Sequence, residues 1–420
     1  MLQEVANTMT QRKSWAPDSW QSAPTAYQPR WPDPVLSAKI LGSLRKLPAL
    51  LPDEEADGLR ELLGEVAHGM RLVLHAGECA ERFEAVSLTD VRARLALLGG
   101  LADTLNADRQ LSAVVIGRIA GQFAKPRSAP TRLIVGSQQL TEVASYMGDM
   151  VNGPAPDVIS RRLDPLRLAE AYHCAAATLS LMRALSVPTA RPPLPSTGIF
   201  TSHEALILGY EQVLSRRHQR TGEWYNCGAH LLWCGYRTCA AGGGHIEYLS
   251  GIGNPVGLKV GPGLSPQALR DICDRLDPFR IPGRLVLISR MGRKDIASRL
   301  EGLISAVRTG GHPSVWLCDP MHGNTFTLPD GRKSRHVDDL LEEIASFAAA
   351  TADQGVAAGG LHLEVSADDV TECVGGPCGP SVRGLSRRYL ASCDPRLNPE
   401  QARFVVEWAA QLFTPREATR

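Results

Sequence analysis

The sequence predicts an α/β protein folded as a (β/α)8 TIM barrel, with an N-terminal extended arm and an inserted helical segment. Short apolar runs recur along the chain, the runs are continuous rather than alternating, and helical stretches lie between most of them. A continuous apolar run is expected of a strand covered on both faces, as in a parallel sheet. Strand and helix in alternation point to parallel strands joined by helical crossovers. A doubly wound open sheet is the alternative, but GxGxxG and P-loop signatures are missing, and GIGNPVG has the wrong spacing.

The first 35 residues, centred on WAPDSWQSAPTAYQPRWPDP, hold three of the seven tryptophans among five prolines. Proline forbids a long helix and exposed indoles are unfavourable, so an extended arm packed on the body or on a second subunit is expected. A single catalytic domain is expected over 36–420. Its strand candidates are RLVLHAG (71–77), SAVVIGRIAG (112–121), a weaker TGIFTS (197–202), HLLWCG (230–235), PVGLKVG (255–261), RLVLISRMG (284–292), SVWLCD (314–319) and LHLEV (361–365). Between them VSLTDVRARLALLGGLADTL, SPQALRDICDRL, RKDIASRLEGLISAVRT and VDDLLEEIASFAAATADQ read as helices. Residues 129–196 are too long for a simple connection and contain the helical DPLRLAEAYHCAAATLSLMRALS, which suggests a helical insertion over one barrel face. Asn398-Pro399-Glu400 supplies a cap, a first-turn proline and an early acid for a final helix, QARFVVEWAAQLF.

The composition, 44% hydrophobic and 21% charged over 420 residues, is globular. Forty-five basic against forty-four acidic residues leave no excess to attract nucleic acid or an anionic membrane, so any anion site must be local. With no apolar leader and no run of membrane-spanning length, a cytoplasmic protein is expected. The ten cysteines form no CxxC pair, and a chain this large needs no disulfide staples. Each reads as a small buried hydrophobe except Cys79, in LHAGECAERF.

In such a barrel the chemistry gathers at the carboxyl ends of the strands. Polar residues fall there repeatedly: Cys79 after the first run, Arg118 and Lys125-Pro126-Arg127-Ser128 after the second, Lys259, Arg290, then Asp319 and His322, and finally Glu364. Two groups emerge. Cys79, His322 and Glu364, with Asp394 of SCDPRLN as a fourth member, make a mixed thiolate, imidazole and carboxylate set for a divalent metal, although His and Glu could equally be an acid/base pair. Arg118, Lys125, Arg127, Arg237, Lys259 and Arg290 would repel one another in one cavity unless an anion sat among them, which implies a phosphorylated substrate. Aldol-type addition, phosphate hydrolysis and isomerisation all fit these residue types.

At these residues the sequence resembles the class II (plant and actinobacterial type) 3-deoxy-D-arabino-heptulosonate 7-phosphate (DAHP) synthases, the first enzymes of the shikimate pathway. The matching segments include LHAGECAE, GRIAGQFAKPRS, YMGDMVNG, TSHEALILGYE, NPVGLKVGP, CDPMHGNT, LHLEV and CDPRLN, in family order along nearly the whole chain. The resemblance implies metal ligation by Cys79, His322, Glu364 and Asp394, with Mn2+ or Co2+ as cofactor. It implies phosphoenolpyruvate held by Arg118, Lys125, Arg237, Lys259 and Arg290, and erythrose 4-phosphate held by Arg127 and Ser128. Lys125, Lys259 and His322 are then the catalytic residues, Asp319 and Asn324 support His322, and a homo-oligomer is expected.

The sequence also departs from the family. Where members read WIGERTRQ or WIGDRTRQ and then DGAH, this chain has Tyr236 for an acid, Cys239 for a second arginine and Gly242 for an aspartate, with Arg237 kept. The changes fall beside the anion site. They leave open a synthase serving secondary metabolism, an amino-DAHP synthase of an aminoshikimate route, and a non-catalytic relative that binds a metabolite or partner.

Overall fold

The computed structural model describes residues 15–106, 113–135, 140–186 and 194–413. Eight strands form a closed parallel barrel: β1 (Val73–Gly77), β2 (Val114–Arg118), β3 (Ile199–Glu204), β4 (Leu231–Cys234), β5 (Val256–Val260), β6 (Leu285–Ser289), β7 (Val315–Cys318) and β8 (Ala358–Glu364). Each pairs with its neighbours in sequence, and β8 closes on β1. All eight apolar runs, the weak TGIFTS included, are barrel strands; Ser112 lies outside the described residues. Strands β5, β6 and β7 are buried at every position, which is why they read as unbroken apolar runs.

Helices follow the strands around the outside, among them Leu88–Leu105, Pro266–Leu276, Ile296–Thr309, Val337–Asp353 and Pro399–Leu412. The last begins as its sequence suggests. Asn398 accepts from the Gln401 amide while the Gln401 side chain bonds back to Asn398 N–H, a reciprocal cap. Leu59, Leu63 and Val66 of helix Asp53–Ala67 pack with Val73, Val114, Leu231 and Val315 at the amino ends of the strands, so this helix plugs the barrel floor. That helix is missing from the sequence reading, although three acids in its first turn mark its start.

The described part of the arm lies on the body. Trp15 stacks over Gly251, where any Cβ would meet its ring, and donates from Nε1 to the Glu247 carbonyl; Trp20 donates to Gln212. Residues 1–14 of the predicted arm lie outside the described residues. The expected helical insertion is helical only in part. It opens with an antiparallel hairpin, Thr131–Val135 with Leu140–Ala144, continues through turns, and only then forms helix Arg167–Leu185. Thr131, Ile134, Val135, Thr141 and Val143 are β-branched, which favours the extended form there. Residues 136–139 and 187–193 of the insertion lie outside the described residues.

The register places the site. Gly77, last in β1, pairs with Arg118 of β2 on one side and Glu364 of β8 on the other, which sets a cation and a carboxylate at one level of the rim. Gly77 has φ +146, and a Cβ would stand 2.8 Å from the Arg118 carbonyl, so only glycine allows this approach.

Candidate active site

A cavity of about 610 Å³ opens at the carboxyl ends of the strands. His322 and Asp394 line one side of it, and their ligand atoms and that of the buried Glu364 lie within 4.8 Å of one another. His322 follows β7 in CDPMHGNT. Its Nδ1 bonds Asp319 Oδ2 at 2.8 Å, which fixes the ring and turns Nε2 toward Glu364 Oε1, 3.1 Å away. A carboxylate behind an imidazole in this way is the usual support for a metal-ligating histidine. Burial works to raise the Asp319 pKa, but His322 and Lys259 outweigh it and hold the group well below the carboxylate range. Asn324 supports the same turn: its amide donates to the Pro320 carbonyl and to Glu343, which also accepts from the backbone of Met291 and Gly292.

Glu364 is fully buried, and four groups surround it: Lys125 (2.8 Å) and Arg118 (3.2 Å) with His322 on Oε1, Arg335 (2.9 Å) on Oε2. Burial raises its pKa; the cations overturn that effect and keep it ionised. Asp394 accepts from Lys125 (2.6 Å) and Lys333 (2.8 Å) and is likewise held low against its burial. One imidazole and two ionised carboxylates suit a hard or borderline divalent ion.

Cys79 is not in this triad. Its buried thiol faces that of Cys393 instead. The hydrogen bond from Cys79, with Arg127 and Lys125 nearby, brings the Cys393 thiol down to about 7, while Cys79 itself is pushed well up. Cys79 still borders the site, since its carbonyl accepts from Arg118 at 3.0 Å.

The rest of the cavity wall is cationic, as the sequence reading expects. Arg118, Lys125, Arg127, Arg237, Lys259 and Arg290 all line it, with Ser128 at the outer edge accepting from Arg237 at 2.8 Å. The loop carrying Lys125 is braced by YMGDMVNG. Lys125 N–H bonds the Met147 carbonyl, Met150 N–H bonds the Phe123 carbonyl, and Tyr146 donates to Asp149. Gly148 has φ +104, and a Cβ would lie 2.1 Å from the Phe123 carbonyl. Gly148→Ala is therefore expected to cost about 1–3 kcal/mol in urea unfolding and to lower activity by displacing Lys125.

The profile of the Class-II DAHP synthetase family matches residues 15–191 and 186–410. The chain belongs to this family. It is 36% identical to the phospho-2-dehydro-3-deoxyheptonate aldolase of Streptomyces coelicolor over 95% of this chain and 97% of that protein. It is 40% identical to a probable phospho-2-dehydro-3-deoxyheptonate aldolase of Pseudomonas fluorescens, covering 91% and 94%. A solved phospho-2-dehydro-3-deoxyheptonate aldolase from Francisella tularensis matches with TM-score 0.53 at 13% identity over 91% of this chain and 97% of that one, a likeness of fold alone.

Within this DAHP synthase barrel the three departures differ in consequence. A Cβ at Gly242 would meet nothing within 4 Å, so that change leaves its surroundings free. Cys239 is buried in the main core, its thiol on the Tyr236 carbonyl. Tyr236 enters the site: its hydroxyl accepts from Gly263 N–H at 3.0 Å and its ring lies 5.4 Å from the Arg290 guanidinium. Tyr236 therefore holds Arg290 by a ring face and brings no negative charge to the anion pocket.

Glu204, at the carboxyl end of β3, is the chief residue that sequence reasoning missed. It lines the cavity, its Oε1 is buried with no hydrogen-bond partner, and burial raises its pKa to about 7 against the pull of the surrounding cations. Its place at a strand end in TSHEALILGYE was the available signal. Arg335 was missed too; it is a buried counter-ion to Glu364, not a cavity residue.

Proposed function

We propose that the chain condenses phosphoenolpyruvate with erythrose 4-phosphate and water to give DAHP and inorganic phosphate, the first step of aromatic biosynthesis, with manganese or cobalt at His322, Glu364 and Asp394. The observation that carries this reading is the meeting, at one cavity, of a cationic wall with an oriented imidazole and two ionised carboxylates, Asp394 on the wall and Glu364 buried behind it. Cys79 is proposed as a further ligand, from the family resemblance and its place at the edge of the triad.

The bound cation would supply a Lewis acid for the aldehyde oxygen of the acceptor. Arg118, Arg237, Lys259 and Arg290 bind the carboxylate and phosphate of phosphoenolpyruvate, and Arg127 with Ser128 takes the acceptor's phosphate at the outer edge. These cations offset the repulsion of two phosphates and a carboxylate at reacting distance, so that C3 of the enol can bond to the aldehyde carbon. As the C3–C bond forms, the aldehyde C=O opens to an oxyanion; water adds at C2, giving one proton to Glu204, and the C2–O bond to phosphate breaks as the new hydroxyl becomes the ketone, its proton leaving with phosphate while the Glu204 proton passes to the oxyanion. The unpartnered Glu204 oxygen and its pKa near neutrality suit that role.

The pH dependence follows. Burial lowers the Lys259 pKa to about 8, with Asp319 opposing, so Lys259 loses its charge as pH rises through about 8 and phosphoenolpyruvate binding weakens. Glu204 gains a proton as pH falls through about 7 and can no longer accept one. A bell-shaped kcat/KM between these limits is expected, and Glu204→Gln should remove its acid limb.

The reading is tested by following phosphoenolpyruvate loss and phosphate release together. Equal amounts are expected, and only when erythrose 4-phosphate is present. Phosphate release without an acceptor would identify a hydrolase. Turnover only with an amino analogue of the acceptor would assign the chain to an aminoshikimate route.

A further inference from the structure

Behind the cavity, inside the barrel, four side chains form an unbroken hydrogen-bonded line. Arg118 Nη1 meets His362 Nε2 at 2.7 Å, His362 Nδ1 meets His75 Nδ1 at 2.9 Å, His75 Nε2 meets Ser202 Oγ at 2.9 Å, and Ser202 donates to the Gly117 carbonyl at 2.8 Å. His75, His362 and Ser202 are fully buried, and none of them lines the cavity.

The chemistry of the two ends decides every proton between them. A guanidinium has only donors, and a neutral imidazole has one donor and one acceptor nitrogen. His362 Nε2 must therefore accept from Arg118, which puts the His362 proton on Nδ1. That proton goes to His75 Nδ1, so the His75 proton sits on Nε2 and goes to Ser202. From the other end, the Gly117 carbonyl can only accept. It takes the single hydroxyl proton of Ser202, whose oxygen must then accept from His75. Both ends force the same direction.

We propose that His75 and His362 are positioning residues that fix the Arg118 guanidinium for phosphoenolpyruvate through this one-directional line; the substrate rests on the function proposed above. Arg118 has five N–H groups. One goes from Nε to the Glu78 carbonyl (2.8 Å), one from Nη1 to His362, and two from Nη2 to the Cys79 carbonyl and Glu364. Five less four leaves one, on Nη1, for a ligand. The line thus decides which Arg118 proton faces the substrate. Trp233 holds the assembly from the side, with the guanidinium 5.2 Å from its ring and both imidazoles edge-on at 5.3 and 5.8 Å. A half-turn of either imidazole would replace a bonded nitrogen by carbon.

The proton order is read by NMR of the full-length protein with 15N-labelled imidazoles, without substrate, and with peaks assigned from single histidine replacements. His75 protonated on Nε2 and His362 on Nδ1 are expected; the opposite tautomer at either position, or an imidazolium, would overturn the proposal. The link to substrate is read from the Kd of phosphoenolpyruvate by calorimetry. His362→Phe removes the acceptor for Arg118 and is expected to weaken binding at least about tenfold, the scale of a lost hydrogen bond to a charged group. His362→Gln, whose amide oxygen can stand where Nε2 stands, is expected to recover most of it, with the affinity for erythrose 4-phosphate, placed on Arg127 and Ser128, unchanged in either variant. Folded variants with equal Kd would show a merely structural role. Wild-type protein that bound no phosphoenolpyruvate would remove the substrate reading, while the spectrum would still decide the proton order.

Discussion

His322→Ala is expected to abolish metal-dependent turnover, with a loss in kcat/KM beyond the roughly 10–100-fold that removing an outer partner of a metal ligand costs. The imidazole is the one nitrogen donor of the triad, and Asp319 behind it has oriented Nε2 toward Glu364 and Asp394. Asp319→Asn should fall within that 10–100-fold range, because it leaves the imidazole in place but unsettles its ring and tautomer. Metal content by mass spectrometry separates the two effects: His322→Ala should lose the ion, and Asp319→Asn should bind it more weakly. A His322→Ala enzyme that kept its metal and more than about a tenth of its activity would show that the ion, if needed, sits elsewhere.

Lys125→Met is expected to damage both stability and activity. Lys125 joins Glu364 and Asp394, and burial would lower its pKa were it not raised by those two carboxylates. Removing the ammonium leaves two buried anions with less compensation, and breaking a buried pair from one side costs about 3–5 kcal/mol. The sign is fixed by linkage. Asp394 and Glu364 have depressed folded-state pKa values, so they contribute stability above their unfolded values that is lost as pH falls through the folded ones. Without Lys125 both depressions shrink and acid resistance shrinks with them. Urea unfolding in chelator should show the full loss, and added manganese should restore part of it by binding the folded state. A change below about 1 kcal/mol in chelator would place this pair with solvent-screened surface bridges.

Most of the barrel was legible in the sequence because strands covered on both faces carry continuous apolar runs. TGIFTS was the weak case for a physical reason: β3 turns Thr201 and Ser202 into hydrogen-bonded positions inside the protein, Thr201 against His230 and Ser202 against His75 and Gly117, so its polarity reflects partners that are distant in sequence. The plugging helix Asp53–Ala67 was passed over although Ala56, Leu59, Leu63 and Val66 stand at helical spacing, one apolar stripe among charged residues. The antiparallel strands Thr131–Val135 and Leu140–Ala144 were hidden by their neighbourhood, a long segment dominated by one clear helix.

The site divides in a similar way. His322, Glu364 and Asp394 were named from residue types at strand ends, and the fold brings them together. Cys79, named with them, packs against Cys393, and nothing in either local sequence announces that contact. His75 and His362 were not recognised because their significance lies in burial and in partners on other strands, and Glu204 because its unpartnered oxygen is buried only by the elements that fold around it. An orphan carboxylate oxygen or a fixed tautomer exists only once the barrel has closed.

In the function proposed above, one metal at the His322 side of the cavity and the cations around it act on the same pair of substrates. Protein stripped by chelator and re-supplied with manganese or cobalt, then mixed with phosphoenolpyruvate and erythrose 4-phosphate, tests it most directly through the loss of enolpyruvate absorbance. No turnover without metal, recovery with about one ion per chain, and no recovery in His322→Ala are expected. Equal turnover in stripped and re-supplied protein, or recovery in His322→Ala, would contradict it.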